Sequence, residues 1–290
     1  LCIQGEDEIA SIGYCMGAAM AGRKALTATS GPGISLYSEQ ISFAVGGEIP
    51  LVIVDVQRLG PSTGSATRGA DSDIKFLRWG NSGGAPVIVL APSVDLSAVE
   101  LPSLMQRKVF AGDDYLPFQA EENMAPPFLP IGGHKLVRQT SSTHGPDGYI
   151  TIDPETISRM QQRLAQKIVA AQERITLFEE DLKKDSETLV ISYGVTARAV
   201  EDAAAMLEQR GRPVSTLTLK TLWPVPETLL REKAASFGRV VVIEMNQGQY
   251  VGEIRRVLGD TRIDFYGRMD GMLITPAKIM EVIENAELSQ

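Results

Sequence analysis

From Thr188 onward, short β-branched and apolar runs alternate with stretches whose apolar positions recur every three or four residues, and few folds accommodate that pattern. The runs predict strands at 189–193, 214–219, 240–244 and 263–266. The periodic stretches predict helices at 196–209, 226–236, 250–258 and from Thr275-Pro276 to near residue 286. The first half repeats the theme. Ile9, Ile12, Met16 and Met20 mark a helix from Asp7 to Gly22, Lys24 to Thr29 reads as a strand, and 34–45 as a helix. Leu51-Val52-Ile53-Val54-Asp55-Val56 is an uninterrupted run of the kind buried on both faces of a parallel sheet, and 86–90 is a further strand. Leu1 to Gln4 is apolar enough to be a strand already inside a fold. Strand–helix alternation on this scale predicts an α/β fold built from two parallel-sheet domains.

The 290 residues suit two domains. Residues 93–150 break the alternation with Pro102, Pro117, Pro126, Pro127 and Pro130 and read as an irregular connector on the first domain. Asp153 as N-cap and Pro154 at the first helical position then start a charged helix reaching about residue 184. The expected division is a first domain at 1–150, a linker helix at 151–186 and a second domain at 187–290.

Charge and composition narrow the function. With 28 basic against 36 acidic residues the net charge is -8, which offers no footprint for nucleic acid or an anionic membrane. No apolar run reaches the roughly 18–20 residues of a membrane span, and a cytoplasmic location is expected. Two cysteines, Cys2 and Cys15, and two histidines cannot supply a zinc or iron–sulfur site, so no metal site is expected on this chain. The opening at Leu1, without methionine, leads us to expect that an N-terminal segment is missing.

Three stretches carry candidate chemistry. Gln4-Gly5-Glu6-Asp7-Glu8 gathers three carboxylates where a strand passes into a helix, a place where acids also serve the helix dipole. Ser30-Gly31-Pro32-Gly33 ends the next strand in a turn whose glycines admit a close ligand, yet it lacks both a P-loop's Lys-Ser/Thr and a dinucleotide fingerprint. In the long loop 58–73, Arg58, Ser62, Thr63 and Arg68 combine guanidinium and hydroxyl donors suited to a small carboxylate, or to a capped, solvated surface loop. His144, in a Gly/Pro-rich turn, reads as structural. Glu244-Met245-Asn246-Gln247, at a strand end, reads as a subunit contact.

Taken together, Gln4 to Ala10, Ala25 to Gly33, the Thr63-Gly64-Ser65-Ala66-Thr67-Arg68-Gly69-Ala70 run, Arg138-Gln139-Thr140, Leu222-Trp223-Pro224-Val225-Pro226 and Glu244-Met245-Asn246-Gln247-Gly248-Gln249-Tyr250 resemble the α subunit of 2-oxoacid:ferredoxin oxidoreductases, most closely the 2-oxoglutarate type. The likeness covers nearly the whole chain. It implies a pyrimidine-binding domain for thiamine diphosphate followed by a transketolase C-terminal-like domain. The implied reaction is oxidative decarboxylation of 2-oxoglutarate with coenzyme A to succinyl-CoA and carbon dioxide, with reduction of ferredoxin. The cofactor would be shared with a β subunit, which alone would hold Mg2+ and a 4Fe-4S cluster, in an (αβ)2 assembly.

By position within Gln-x-Glu the resemblance gives Glu6 the catalytic role of donating a proton to the aminopyrimidine ring. It places Ser30, Gly31, Pro32 and Gly33 beside that ring, and Arg58, Ser62, Thr63 and Arg68 on the substrate carboxylate. Asp7 and Glu8 are left as helix-start acids. The chain lacks the family's N-terminal strand, helix and Thr-bearing loop, and Ser93-Val94-Asp95 stands where a further helix and strand would lie. The alternatives are a shortened, non-catalytic scaffold subunit, a relative acting on pyruvate or branched-chain 2-oxoacids, and an unrelated α/β ligand-binding protein.

Overall fold

The computed structural model describes residues 1–65, 67–84, 86–92, 109–120 and 124–285. They form two compact units: the first comprises the described residues of 1–56, 76–87 and 100–171, the second those of 57–75, 88–99 and 172–290. The segment 57–75, expected with the first domain, therefore belongs to the second unit, and the helix after Asp153 belongs to the first. The junction Ser93-Val94-Asp95 lies outside the described residues.

In the first unit, α1 (Glu8–Met20) begins where the extended Asp7 accepts the Ala10 N–H at 2.7 Å, an N-cap that satisfies one of the helix's free donors. Strand β1 (Leu26–Ser30) leads through a tight turn into α2 (Gly33–Leu36) and α3 (Ser38–Gly46), and β2 (Val52–Val56) returns parallel to β1, Leu26 opposite Val52 and Ser30 opposite Val56. Ile12, Ile34 and Tyr37 form a core on one face of this pair, joined by Leu51 and Ile53. The opposite face carries Val52, Val54 and Val56 at 59%, 44% and 57% exposure. Burial of this run on both faces, expected from its composition, is thus partial and on one face only among the described residues. An apolar run, here broken only by Asp55, reports two largely apolar faces, not what covers each.

Leu1 to Gln4 form no strand, because no neighbouring strand bonds to them. A short α4 (Ile74–Trp79) follows the long loop and was not legible in it. Helix α5 (Pro154–Ala170) has the expected cap, Asp153 accepting the Thr156 N–H at 2.8 Å, but stops at Ala170. His144 is buried and stacks on Phe118 with ring centroids 3.7 Å apart, its Nε2 3.2 Å from the Gly46 carbonyl.

The second unit contains β3 (Val89–Leu90), α6 (Gln172–Ile175), β4 (Phe178–Asp181), β5 (Thr188–Tyr193), α7 (Thr196–Gln209), β6 (Ser215–Leu219), β7 (Thr221–Trp223), α8 (Glu227–Ala234), β8 (Arg239–Glu244), α9 (Val251–Leu258), β9 (Ile263–Gly267) and α10 (Pro276–Glu284). The main sheet runs β4-β6-β5-β8-β9, parallel except for β4. Phe178-Glu179-Glu180-Asp181, expected in the linker helix, is its antiparallel edge. Its carboxylates suit an exposed edge, where charge discourages pairing with another chain. From Thr188 onward the predicted strands and helices lie within two residues of their observed positions, whereas β7 was not predicted and the strand expected at 86–90 is confined to Val89–Leu90. Val190, Val241 and Ile243 on the central strands pack with Val200, Leu207 and Ile279 of α7 and α10. From β5 the chain passes to β6 on one side and later to β8 on the other, so the carboxyl ends of β5 and β8 form the switch point at which open α/β sheets place their sites.

Candidate active site

In the first unit the N-terminus of α1 meets the end of β1. Because Asp7 is the N-cap, Glu8 is the first residue of the helix, and its carboxylate accepts a hydrogen bond from the buried Thr29 hydroxyl at 3.3 Å. Gly33 lies against the same pair: a Cβ there would collide with Thr29 Oγ1 and approach Glu8 Oε1 to 2.5 Å. A side chain at 33 would displace the carboxylate. Tyr37 closes the group, its hydroxyl 2.9 Å from Thr27 Oγ1. Burial pushes the Tyr37 hydroxyl's pKa up, and the nearby Glu8, Cys15 and Asp55 charges add to that.

Of the residues singled out from sequence, Gly33 joins this group and Glu6 does not. Glu6 is exposed and bonds to no described residue. Ser30 donates its hydroxyl to the Val56 carbonyl at 3.0 Å, and Gly31, at φ 56, donates its N–H to the same oxygen at 3.2 Å, so these two fix the turn to the end of β2. Thr29 and Tyr37, which meet Glu8 and Thr27, were not singled out from sequence. Glu8 was read as a dipole acid, and only the tertiary approach of Gly33 distinguishes it from Glu6.

Arg58, Ser62, Thr63 and Arg68 lie in the second unit, so the structure assigns the two sets to different units. Their loop is closed on itself: Leu59 N–H donates to the Arg68 carbonyl at 2.9 Å, and Ser65 N–H to the Leu59 carbonyl at 3.0 Å. Ser62 has the left-handed φ of 52, and both Ser62 and Thr63 are exposed. Arg68 is exposed, with its stem along Gly271 and Nη1 3.6 Å from Met272 Sδ. Arg58 is half-buried and its Nε has no hydrogen-bond partner. Burial raises the pKa of Asp73, and the charge of Arg58 opposes that rise.

The same loop carries Asp71 to the switch point. Asp71 is buried and its N–H donates to the Met245 carbonyl at 3.0 Å. Glu244, wholly buried at the end of β8, accepts the Tyr193 hydroxyl at 2.9 Å and the N–H groups of Tyr250 and Val251 at 3.0 and 2.6 Å. Of the stretch expected as a subunit contact, Glu244 and Asn246 are fully buried inside the unit and bonded to its own backbone and Tyr193, while Gln247 is exposed.

Burial, then the charge of Glu244, pushes the Asp71 carboxyl from its ordinary 3.8 up to about 6, against a backbone hydrogen bond from Met245. The folded state thus holds a proton that the unfolded chain releases. The associated stability is complete below the ordinary carboxylate value and is lost as pH rises through about 6. Asp71→Asn is therefore expected to raise unfolding free energy by up to about 3 kcal/mol at pH 8 and by far less at pH 4. Urea titrations of both proteins at the two pH values test this. An equal gain, or a loss, at both would remove proton linkage as the cause.

Among the described residues there is no group of three or more His, Cys, Asp or Glu able to hold a metal ion, and no helix is long and apolar enough to cross a membrane.

Comparison with known proteins agrees with this architecture. A family profile described as the thiamine diphosphate-binding region of pyruvate flavodoxin/ferredoxin oxidoreductase matches residues 1–101, and one for pyruvate:ferredoxin oxidoreductase core domain II matches residues 186–279. The 2-oxoglutarate synthase subunit KorA of Methanothermobacter thermautotrophicus is 33% identical over 320 aligned positions, 97% of this chain and 85% of the relative. KorA of Methanocaldococcus jannaschii is 36% identical over 88% of this chain and 78% of its own length. The ketoisovalerate oxidoreductase subunit VorB of M. thermautotrophicus is 30% identical over 97% of this chain and 83% of that protein. Among solved structures, the 2-oxoglutarate:ferredoxin oxidoreductase of Magnetococcus marinus, with 2-oxoglutarate, coenzyme A and succinyl-CoA bound, superposes with a TM-score of 0.90 at 28% identity. That match covers 97% of this chain, and the chain spans 56% of the solved one. A thiamine diphosphate-binding domain followed by core domain II, with relatives alike along almost the full sequence, makes this chain a member of the 2-oxoacid:ferredoxin oxidoreductase family, an α subunit.

Proposed function

We propose that this chain is the α subunit of a thiamine diphosphate-dependent enzyme that converts 2-oxoglutarate and coenzyme A to succinyl-CoA and carbon dioxide while reducing ferredoxin. The observation that carries the reading is the Glu8–Thr29–Gly33 group, a hydrogen-bonded carboxylate beside a glycine where a side chain has no room. It fits an aminopyrimidine, whose N1′ needs a carboxyl partner and whose flat ring needs space. In this reading Glu8, and not Glu6, holds and returns the N1′ proton, Thr29 orients the carboxylate, and Ser30, Gly31 and Pro32 shape the turn beside the ring.

Thiamine diphosphate, when bound, supplies the carbon nucleophile and electron sink that decarboxylation requires. Arg58, Ser62, Thr63 and Arg68 bind the substrate. An Arg fork can pair with a carboxylate through two hydrogen bonds, and a dicarboxylic acid can use two such residues. The cofactor's diphosphate, Mg2+ and the 4Fe-4S cluster belong to a β subunit in an (αβ)2 complex. We place that complex in the cytoplasm, as a supply of coenzyme A and ferredoxin requires. The relatives named for 2-oxoglutarate and for ketoisovalerate make the acid the finest part of this proposal.

Co-purification with the β subunit and assay of thiamine-dependent acceptor reduction tests it. 2-Oxoglutarate is expected to exceed pyruvate and 2-oxoisovalerate in kcat/KM. Alanine at the arginine bound to the distal carboxylate, Arg58 or Arg68, should cost about tenfold or more with 2-oxoglutarate and little with pyruvate. Assembly without turnover of any 2-oxoacid would instead support a scaffold subunit.

A further inference from the structure

We propose that Gln249 is a positioning residue for the 57–75 loop, and that the turn from the buried Asn246 to Gln249 is the platform on which the loop is latched. This rests on the reading that the loop binds the 2-oxoacid. Both polar atoms of the Gln249 amide are spent on backbone at the end of this loop: Nε2 donates to the Ser72 carbonyl at 2.6 Å, and Oε1 accepts the Lys75 N–H, in the first turn of α4, at 2.9 Å. Asp71 adds a third bond, its N–H to the Met245 carbonyl.

The platform is itself fixed. Asn246 Oδ1 accepts the N–H groups of Gly248 and Gln249, each at 2.8 Å, and its Nδ2 donates to the Tyr193 hydroxyl at 2.8 Å, which in turn donates to Glu244. Gly248 turns the chain at φ 84, a conformation that favours glycine. On the loop side the link continues. Ser72 donates its hydroxyl to the Arg58 carbonyl, and the Asp73 N–H donates to Gln57 Oε1 at 2.8 Å. One hydroxyl contact therefore separates the residue held by Gln249 from a candidate substrate arginine.

The test uses the full chain in complex with its β subunit, as wild type, Gln249→Ala and Gln249→Glu, with Arg231→Ala in an exposed ion pair as control. Glutamate keeps the acceptor for Lys75 and loses the donor to Ser72. Hydrogen–deuterium exchange of residues 57–75 is expected to quicken about tenfold in Gln249→Ala, as for the loss of two ordinary hydrogen bonds, and less in Gln249→Glu. The KM for 2-oxoglutarate should rise about tenfold, with kcat and the KM for coenzyme A within twofold. Unchanged exchange in the loop overturns the latch. A rise in both KM values with a fall in kcat overturns the positioning role in favour of general damage. Should the wild-type complex turn over no 2-oxoacid, the functional reading and the positioning role fall together, and exchange alone judges the latch.

Discussion

Replacing Glu8 by Gln is expected to lower turnover of the assembled complex by about 10²–10⁴-fold, the usual range for losing a positioned acid–base group. The amide keeps an oxygen for the Thr29 hydroxyl and retains the shape beside Gly33, so subunit assembly and thermal stability should stay near wild type. Glu6→Gln, two residues earlier on the exposed side of the cap, should leave kcat within twofold. The pair separates two assignments that the sequence alone leaves almost equivalent. Steady-state rates with 2-oxoglutarate and a low-potential acceptor decide between them, and a large loss in Glu6→Gln with none in Glu8→Gln would restore the earlier assignment.

The largest effect on stability is expected at Glu48. Its side chain is 4% exposed and is held by Arg163 and by Lys167, the latter at 2.8 Å, which ties α5 to the segment before β2. Arg163 also donates to the Met124 carbonyl at 3.0 Å. Burial by itself would raise the Glu48 carboxyl, but the hydrogen bonds and charges of Arg163 and Lys167 outweigh it and hold the group below its ordinary range. Removing one partner of such a pair strands the others, at a cost of about 3–5 kcal/mol. Glu48→Gln should therefore lower the first unit's melting temperature by roughly 10 °C at pH 7. Because the folded value is depressed, this contribution is present above the ordinary carboxylate pKa and fades as pH falls through the folded one. Melting curves at pH 7 and pH 3.5 check the sign: the gap between mutant and wild type must narrow in acid.

Much of the architecture was legible because the second half follows local rules. The capping residues Asp153 and Thr275 start helices where their carboxylate or hydroxyl is needed, and the central strands β5 and β8 carry the apolar runs Leu189-Val190-Ile191 and Val240-Val241-Val242-Ile243, buried on both faces. Phe178 to Asp181 failed the same reading: three consecutive acids have no period that marks a strand, and only pairing with β6 makes them one. Val52, Val54 and Val56 failed differently, since composition shows that a face is apolar and says nothing of its cover.

At the site, the family strings point to the stretches in which Glu8, Thr29 and Gly33 meet, and to Glu6, whereas the proposed N1′ partner is Glu8. Distinguishing Glu6 from Glu8 requires knowing that Asp7 is the cap and that Gly33, twenty-five residues later, comes to lie on Glu8. Likewise Gln249 meets Ser72, and Asp71 meets Met245, across more than 170 residues of sequence, and no spacing rule links them. His144, read as structural from its Gly/Pro-rich turn, is buried, stacks on Phe118 and lies against the Gly46 carbonyl.

The most direct measurement is a density map of the αβ complex with thiamine diphosphate bound, at a resolution that orients the aminopyrimidine. N1′ should lie within about 2.6–3.2 Å of a Glu8 carboxylate oxygen, with the ring against Gly33. A ring whose N1′ meets Glu6, or no carboxylate from this chain, would contradict the account.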